Sequence, residues 1–427
     1  MQSHGQSGTT GPLSAVHDAP KLDVERTVEP VRGALLKRLL TTLSRETSSG
    51  RFIPEMDGLR LVAISMVVLF HLHGYLLAKF PFYAVSMPPA GRFARTAATW
   101  SHGVELFFVI SGFILALPFA AHHLRGAKAV SLRKYYLRRV SRLEPPYFVT
   151  LGTLFVLAVW LQGRNATALL PHLGASFFYL HNLVYGMPSA IVGVAWSLEI
   201  EIQFYLLVPL LTLVFAIRRR SLRRSIMGGI VVALIAVQSP IAQLGARASL
   251  SLLAYLQFFL VGFLLADVFL TDWNETPPTS VAWDAVSFIG WPLALWSLRW
   301  ETVAEWTFPL AIFLLYTAAF RGRFSRRVFS QPVITAVGGM CYSIYLLHYE
   351  VISGVGTLWG RLGLAASNWF GLALLMVATC TSILLVCGLY FVFLEKPCMR
   401  PQWWCGAGCS RKSRYRAPSM AQIRTAD

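Results

Sequence analysis

Arg60 and His71 stand eleven residues apart in DGLRLVAISMVVLFH, residues 57–71, inside an otherwise apolar stretch. On a helix, eleven residues advance about 16 Å and return to within about 20° of the same direction, so the two side chains share a face. Asp57, three residues before Arg60, joins that face and is spaced to pair with the guanidinium. An ionisable group at the centre of a membrane helix costs roughly 2.5–3.5 kcal/mol even on the gentlest scale. A span that keeps both groups therefore points to use: a fixed cation near one end, and a reactive imidazole deeper in. The competing explanation is structural, an arginine that snorkels to the interface and a histidine that joins two helices.

Other polar residues bear on that choice. RRVSR places Arg139 and Arg142 three residues apart on one helix face, at the start of another apolar run. Paired arginines suit a phosphate-rich ligand, because the guanidinium fork matches phosphate oxygens; alone they would equally serve as topology signals. WSLEIEIQFYLL sets Glu199, Glu201 and Gln203 at alternate positions of an apolar helix start. Carboxylates there suit acid–base work or hydrogen bonding to an acceptor, or else they cap the helix. YSIYLLHYE carries His348 toward the outer side, and EKP carries Glu395 at an inner helix end. The set implies a route through a bilayer: a phosphate-bearing donor inside, a histidine midway, an acceptor entering from outside. There is no Walker lysine loop, no GxSxG elbow and no zinc-ligand pair, so nucleotide hydrolysis, serine-hydrolase chemistry and a metal site are not expected.

The elements that must position these groups are membrane helices. The chain has 427 residues, 55% hydrophobic and 14% charged, where a soluble domain would be about a quarter charged. Apolar runs near 59–79, 103–121, 146–162, 197–217, 226–243, 251–270, 282–298, 302–320, 333–355 and 368–394 are long enough to span. Basic residues crowd the N-terminus, 122–145, RRRSLRR at 218–224, RGRFSRR at 321–327 and the C-terminal tail. Ten spans put all of these on one side, with both termini cytoplasmic. Counting 172–186 (with His172, His181 and Asn182) as an eleventh would break that pattern, so it is expected to be a re-entrant or surface element. The net charge of +18 thus follows topology rather than one stripe, and no nucleic-acid partner is expected. The six cysteines read as buried hydrophobes (Cys341, Cys380, Cys387) or as thiols of the basic tail (Cys398, Cys405, Cys409). No cleavable signal peptide is expected. Residues 1–51 read as a cytoplasmic tail, disordered over residues 1–30, then an amphipathic helix with Leu35, Leu36, Leu39, Leu40 and Leu43 at helical spacing, equally a helix on the inner membrane surface or one exposed to solvent. Residues 52–400 form the membrane domain, and 401–427 a basic cytoplasmic tail.

In order along the chain, DGLRLVAISMVVLFH, GVELFFVISGFIL, LRRVSRLEPPY, WSLEIEIQFYLLVPLL, YSIYLLHY and FLEKP resemble the membrane-bound acyltransferase-3 family over roughly residues 52–400. Arg60 and His71 match its arginine–ten–histidine pattern, and Arg139 and Arg142 its paired-arginine motif. The family usually has two adjacent acids before the glutamine of its WSL motif; here Glu201 is kept and Ile202 replaces the second. Glu144 stands where an aromatic residue is more usual. The resemblance implies an all-α polytopic enzyme of the bacterial cytoplasmic (inner) membrane. Such an enzyme moves an acyl group, often acetyl, from acyl-coenzyme A as co-substrate to a hydroxyl of a carbohydrate or glycoconjugate such as a surface polysaccharide, with no bound cofactor. His71 and Glu201 would then be catalytic. Arg60, Arg139, Arg142 and Glu395 would hold the donor, and Asp57, Glu199, Gln203 and His348 would support or face the acceptor. A secondary transporter is the alternative; it predicts internal repeats or broken helices in corresponding halves, and no such repeat is visible.

Overall fold

The computed structural model describes residues 37–46, 52–89, 91–364 and 366–400. The expectations for residues 1–36, Leu35 and Leu36 among them, and for the tail with Cys405 and Cys409 lie outside these. The chain divides into a unit ending at Thr41 and a second from Thr42 onward. In the first, residues 37–41 are helical, and the Thr41 hydroxyl donates to the Lys37 carbonyl at 2.7 Å.

The second unit is all-helical among the described residues. Its main helices are α1 (Pro54–Lys79), α2 (Gly103–Arg125), α3 (Leu132–Trp160), α4 (Ala166–Phe177) and α5 (Trp196–Leu211). They continue as α6 (Arg220–Ala236), α7 (Leu256–Thr271), α8 (Val281–Ser297), α9 (Glu301–Arg321), α10 (Cys341–Arg361) and α11 (Trp369–Tyr390). Local signals set their ends. Pro54 opens α1, where a missing N–H costs nothing. Gly126 closes α2 at φ +67°, a left-handed cap that favours glycine. The side chains of Asn165 and Asn368 accept from the first free amides of α4 and α11.

Among the described residues, six helices are long and apolar enough to cross a membrane: Pro54–Lys79, Arg92–Arg125, Leu132–Trp160, Gly193–Ala216, Thr302–Arg321 and Trp369–Cys398. This is fewer than the ten runs read from composition. Leu256–Thr271 shows why: sixteen residues of helix reach about 24 Å, short of a hydrocarbon core of about 30 Å. The stretch 172–186 is broken between the end of α4 and the short helix His181–Tyr185.

Two close seams carry the functional side chains. Helices α1 and α10 run side by side in the same direction, with His71 against His348 and the Tyr75 hydroxyl on the Ser353 carbonyl at 3.3 Å. Helices α2 and α7 cross where a Cβ on Gly112 would lie 2.1 Å from the Phe259 carbonyl oxygen, and one on Gly262 2.3 Å from that of Val109. Only glycine permits that approach. The basic connections are stitched as well. Arg223, 1% exposed, and Arg224 both pair with the buried Asp267. Asp284 accepts from the Phe324 and Ser325 amides, and Arg326 meets Glu55 at 2.8 Å. The RRRSLRR and RGRFSRR clusters therefore hold helices together.

Candidate active site

Arg60 on α1, Ser111 on α2, Arg139 and Arg142 on α3, Glu201 on α5 and Tyr345 on α10 line one cavity of about 120 Å³. Arg60 is fixed there by Asp57, the pair its spacing predicts, and the other Asp57 oxygen accepts from Arg45 Nε at 2.8 Å. Arg45 lies outside the spans. Burial and then the charge of Arg60 lower it to about 10 despite Asp57, so it stays charged at neutral pH. Asp57 is fully buried between two guanidiniums. Arg139 and Arg142 differ: neither has an acidic partner among the described residues, and the Nε of each is buried without an acceptor. Arg139 lies over the rings of Tyr135 and Tyr205, at 5.9 and 5.7 Å. Two unpaired guanidiniums at the edge of a chamber walled by Phe107, Ile110 and Leu143 have the chemistry that suits an anion.

Glu201 joins this chamber and accepts from the Ser111 hydroxyl. The sequence reading placed it at the opposite mouth from the arginines; the structure brings them together. The cause is the start of α5, where Ser197, Leu198, Glu199 and Ile200 are all buried. The helix begins inside the bundle, beneath the folded stretch 166–195, rather than at a rim.

His71 does not line the chamber. It sits one turn of α10 beyond Tyr345, half-buried, with its Nδ1 2.9 Å from the Val67 carbonyl and 3.1 Å from His348 Nε2. His348 is fully buried, and its Nδ1 lies 2.9 Å from the carbonyls of both Ile344 and Tyr345. A carbonyl only accepts, so each Nδ1 carries a proton. An Nε2–H on His348 would point at that on His71 Nδ1, so His348 Nε2 is bare and accepts. Neutral His71 is thereby left with its lone pair on Nε2, the atom able to take a proton or attack a carbonyl.

Other expected residues lie elsewhere. Glu199 accepts from the backbone amides of His181 and Asn182, at 3.2 and 2.8 Å, so its carboxylate anchors the 166–195 fold and does not back up Glu201 in the chamber. Gln203 accepts from the Leu252 amide at 2.9 Å. Glu395, fully buried, accepts from the Ser343 amide and hydroxyl at 3.0 and 2.6 Å, capping the first turn of α10 outside the chamber. Its Oε1 has no partner among the described residues. The sequence reading missed Ser111, Tyr345 and Arg45. Ser111 had a visible signal, a lone hydroxyl in GVELFFVISGFIL; Arg45 had none, since it reaches Asp57 from a separate segment. No group of three or more metal-ligating side chains occurs among the described residues.

The acyltransferase domain family matches residues 53–389. The chain is 26% identical over 336 residues to "Putative O-acetyltransferase SACOL0978" of Staphylococcus aureus (strain COL), covering 71% of this chain and 51% of that protein. It is 30% identical over 178 residues to the peptidoglycan O-acetyltransferase OatA of Listeria monocytogenes serovar 1/2a (strain ATCC BAA-679 / EGD-e), covering 39% and 25%. To the O-acetyltransferase OatA of Staphylococcus aureus (strain NCTC 8325 / PS 47) it is 25% identical over 331 residues, covering 71% and 51%. The chain thus spans about half the length of the staphylococcal relatives it matches. No solved structure matches it. With the family's domain covering residues 53–389, and Arg60, His71 and the arginine pair of α3 all within it, the chain belongs to the acyltransferase-3 family.

Proposed function

We propose that this chain is an integral-membrane O-acyltransferase that moves an acyl group, foremost acetyl, from acyl-coenzyme A to a hydroxyl of a carbohydrate or glycoconjugate. The donor binds at the cytoplasmic face of a ten-span bundle in a bacterial inner membrane, and the acceptor arrives from the other face. A glycan of the cell surface fits that direction, and a relative of this chain is named for peptidoglycan. One observation carries the reading: two unpaired arginines and Glu201 share a chamber one helical turn from a histidine whose Nε2 is bare. A cavity of about 120 Å³ suits the thioester end of such a donor rather than its nucleotide. Arg139 and Arg142, half-buried, border the chamber and are placed to meet phosphates at its edge.

In this scheme His71 Nε2 takes the proton of the acceptor hydroxyl as the oxygen attacks the thioester carbonyl. The C–O bond forms, the C–S bond breaks, and the proton passes to the departing thiolate. Glu201 orients the reacting groups from the chamber. The test is purified protein supplied with acetyl-coenzyme A and a glycan acceptor. Stoichiometric release of coenzyme A and acetylated product is expected, lost in His71→Ala. Translocation of a solute without any acetylated product would favour a transporter and sink the proposal.

A further inference from the structure

A second cavity, about 550 Å³, lies at the end of the bundle away from the basic connections, among the N-terminal ends of α2, α7 and α9. Its volume falls in the range of small-ligand sites, about 300–1,000 Å³. His102, Glu105, Tyr255, Gln257, Arg299 and Phe308 line it. Glu105 is only 13% exposed; His102 Nδ1 lies 3.0 Å from its Oε1, and its Oε2 is buried with no partner among the described residues. A buried carboxylate oxygen left without a donor is costly, which is a reason for a ligand hydroxyl to fill that place. Gln257, 4% exposed, sends its amide to the Ala254 carbonyl at 2.9 Å, and its oxygen receives only a long 3.5 Å contact from Gln238. Aromatic rings, Tyr255 and Phe308, complete the wall.

Spacing along α2 relates this cavity to the chamber. Glu105, Phe108 and Ser111 follow at intervals of three, so they occupy one side of the helix within about 9 Å of rise. Glu105 faces the large cavity and Ser111 the chamber; Phe108 borders the chamber, and its ring meets that of Tyr255 with centroids 5.2 Å apart. The partition between the two spaces is thus one pair of aromatic rings thick.

We propose that the large cavity is a carbohydrate-binding site that seats one or two sugar units of the acceptor against the Phe108–Tyr255 partition. Open acceptors on Glu105 and Gln257, the Arg299 guanidinium and flat apolar rings are the groups that recognise sugar hydroxyls and sugar faces. The assignment rests on the acyl-transfer reading for its purpose, though not for its geometry. Saturation-transfer NMR on the full chain in nanodiscs tests it, with diacetylchitobiose, lactose and maltose as probes. At least one disaccharide is expected to bind. Glu105→Gln, which keeps the shape, and Phe308→Leu should each weaken that binding at least tenfold while leaving acetyl-coenzyme A binding unchanged. Binding of none of the three, or binding that neither variant weakens, overturns the site. Sugar binding without coenzyme A release from acetyl-coenzyme A would instead overturn acyl transfer and leave the site standing.

Discussion

His71 and His348 show how much of a residue's chemistry a partner decides. The shared face of Arg60 and His71 was legible from an eleven-residue spacing, and the Asp57 pair from a three-residue one. What spacing did not carry was the second acceptor on His71 Nδ1, because His348 comes from a helix 277 residues away, whereas the Val67 carbonyl that holds the proton on Nδ1 lies one turn back on the same helix. The same limit hid the role of Glu199, whose partners lie in a fold that only tertiary packing creates. Removing a general base costs roughly 10²–10⁴-fold, and His71→Ala should lose that much transfer per folded molecule. His348→Leu removes the second acceptor on Nδ1 and leaves the Val67 carbonyl to orient the ring, so a smaller loss is expected, with donor binding unchanged. Equal losses in the two variants would make His348 part of the chemistry itself, and no loss in His348→Leu would mean that the Val67 carbonyl orients the ring alone. Arg142→Ala should weaken the donor by about 1.5–3 kcal/mol, or roughly 10–100-fold, and Arg142→Lys should recover little, since an ammonium lacks the fork. An unchanged Michaelis constant for the donor would make the pair a topology signal only. Glu201→Gln should lower turnover without raising that constant, because the carboxylate shares the chamber with the arginines and repels an anion there. A parallel rise would assign Glu201 to donor binding.

At the scale of elements, the helices were readable because apolar runs, prolines and asparagine caps are local. Their depth was not. The buried start of α5 moved Glu201 into the arginine chamber, and nothing within WSLEIEIQFYLL announces that. The crossing of α2 and α7 matters for the same chamber, since Ser111 precedes Gly112. Gly112→Ala should destabilise by about 1–3 kcal/mol, the range for overpacking, seen as a lower melting temperature in detergent; an unchanged value would mean the seam gives way freely. The 166–195 fold has its own titration. His181 is fully buried, with its Nδ1 on the Met187 carbonyl at 3.0 Å and its Nε2 on His172 at 2.9 Å. Burial lowers its pKa below the ordinary imidazole value; the Met187 carbonyl opposes this and His172 reinforces it. The folded state thus favours the neutral ring. Its contribution is complete above the unfolded pKa of about 6.5 and is lost as pH falls from there toward the lower folded value. Melting at pH 7.5 and 5.5 should show that loss, and His181→Gln should flatten it; a variant as pH-sensitive as the parent would place the effect elsewhere.

For the whole molecule, charge asymmetry reaches further than helix length. Among the described residues six helices meet the length and apolarity needed to cross, yet the basic clusters at 122–145, 218–224 and 321–327 fall on one side only if shorter helices such as α7 also traverse. A short helix can do so where neighbouring protein, rather than lipid, covers its ends, and α7 is buried along most of its length. The ten-span reading therefore predicts alternating signs along the chain. Alkaline phosphatase, active only outside the cytoplasm, should be active when fused after Gly163 or Gly245 and inactive after Ser221 or Gly322. Were 172–186 a crossing, the fusions at Ser221, Gly245 and Gly322 would all reverse while the one at Gly163 stayed active. Were only the six long helices to cross, the fusions at Ser221 and Gly245 would agree with each other, because no crossing would separate them. The pair at Ser221 and Gly245 is thus the sharpest measurement of the span count, and matching activity there would overturn the ten-span bundle; the side of Arg60, Arg139 and Arg142 rests on the fusion at Gly163, whose inactivity would remove them from the cytoplasmic mouth.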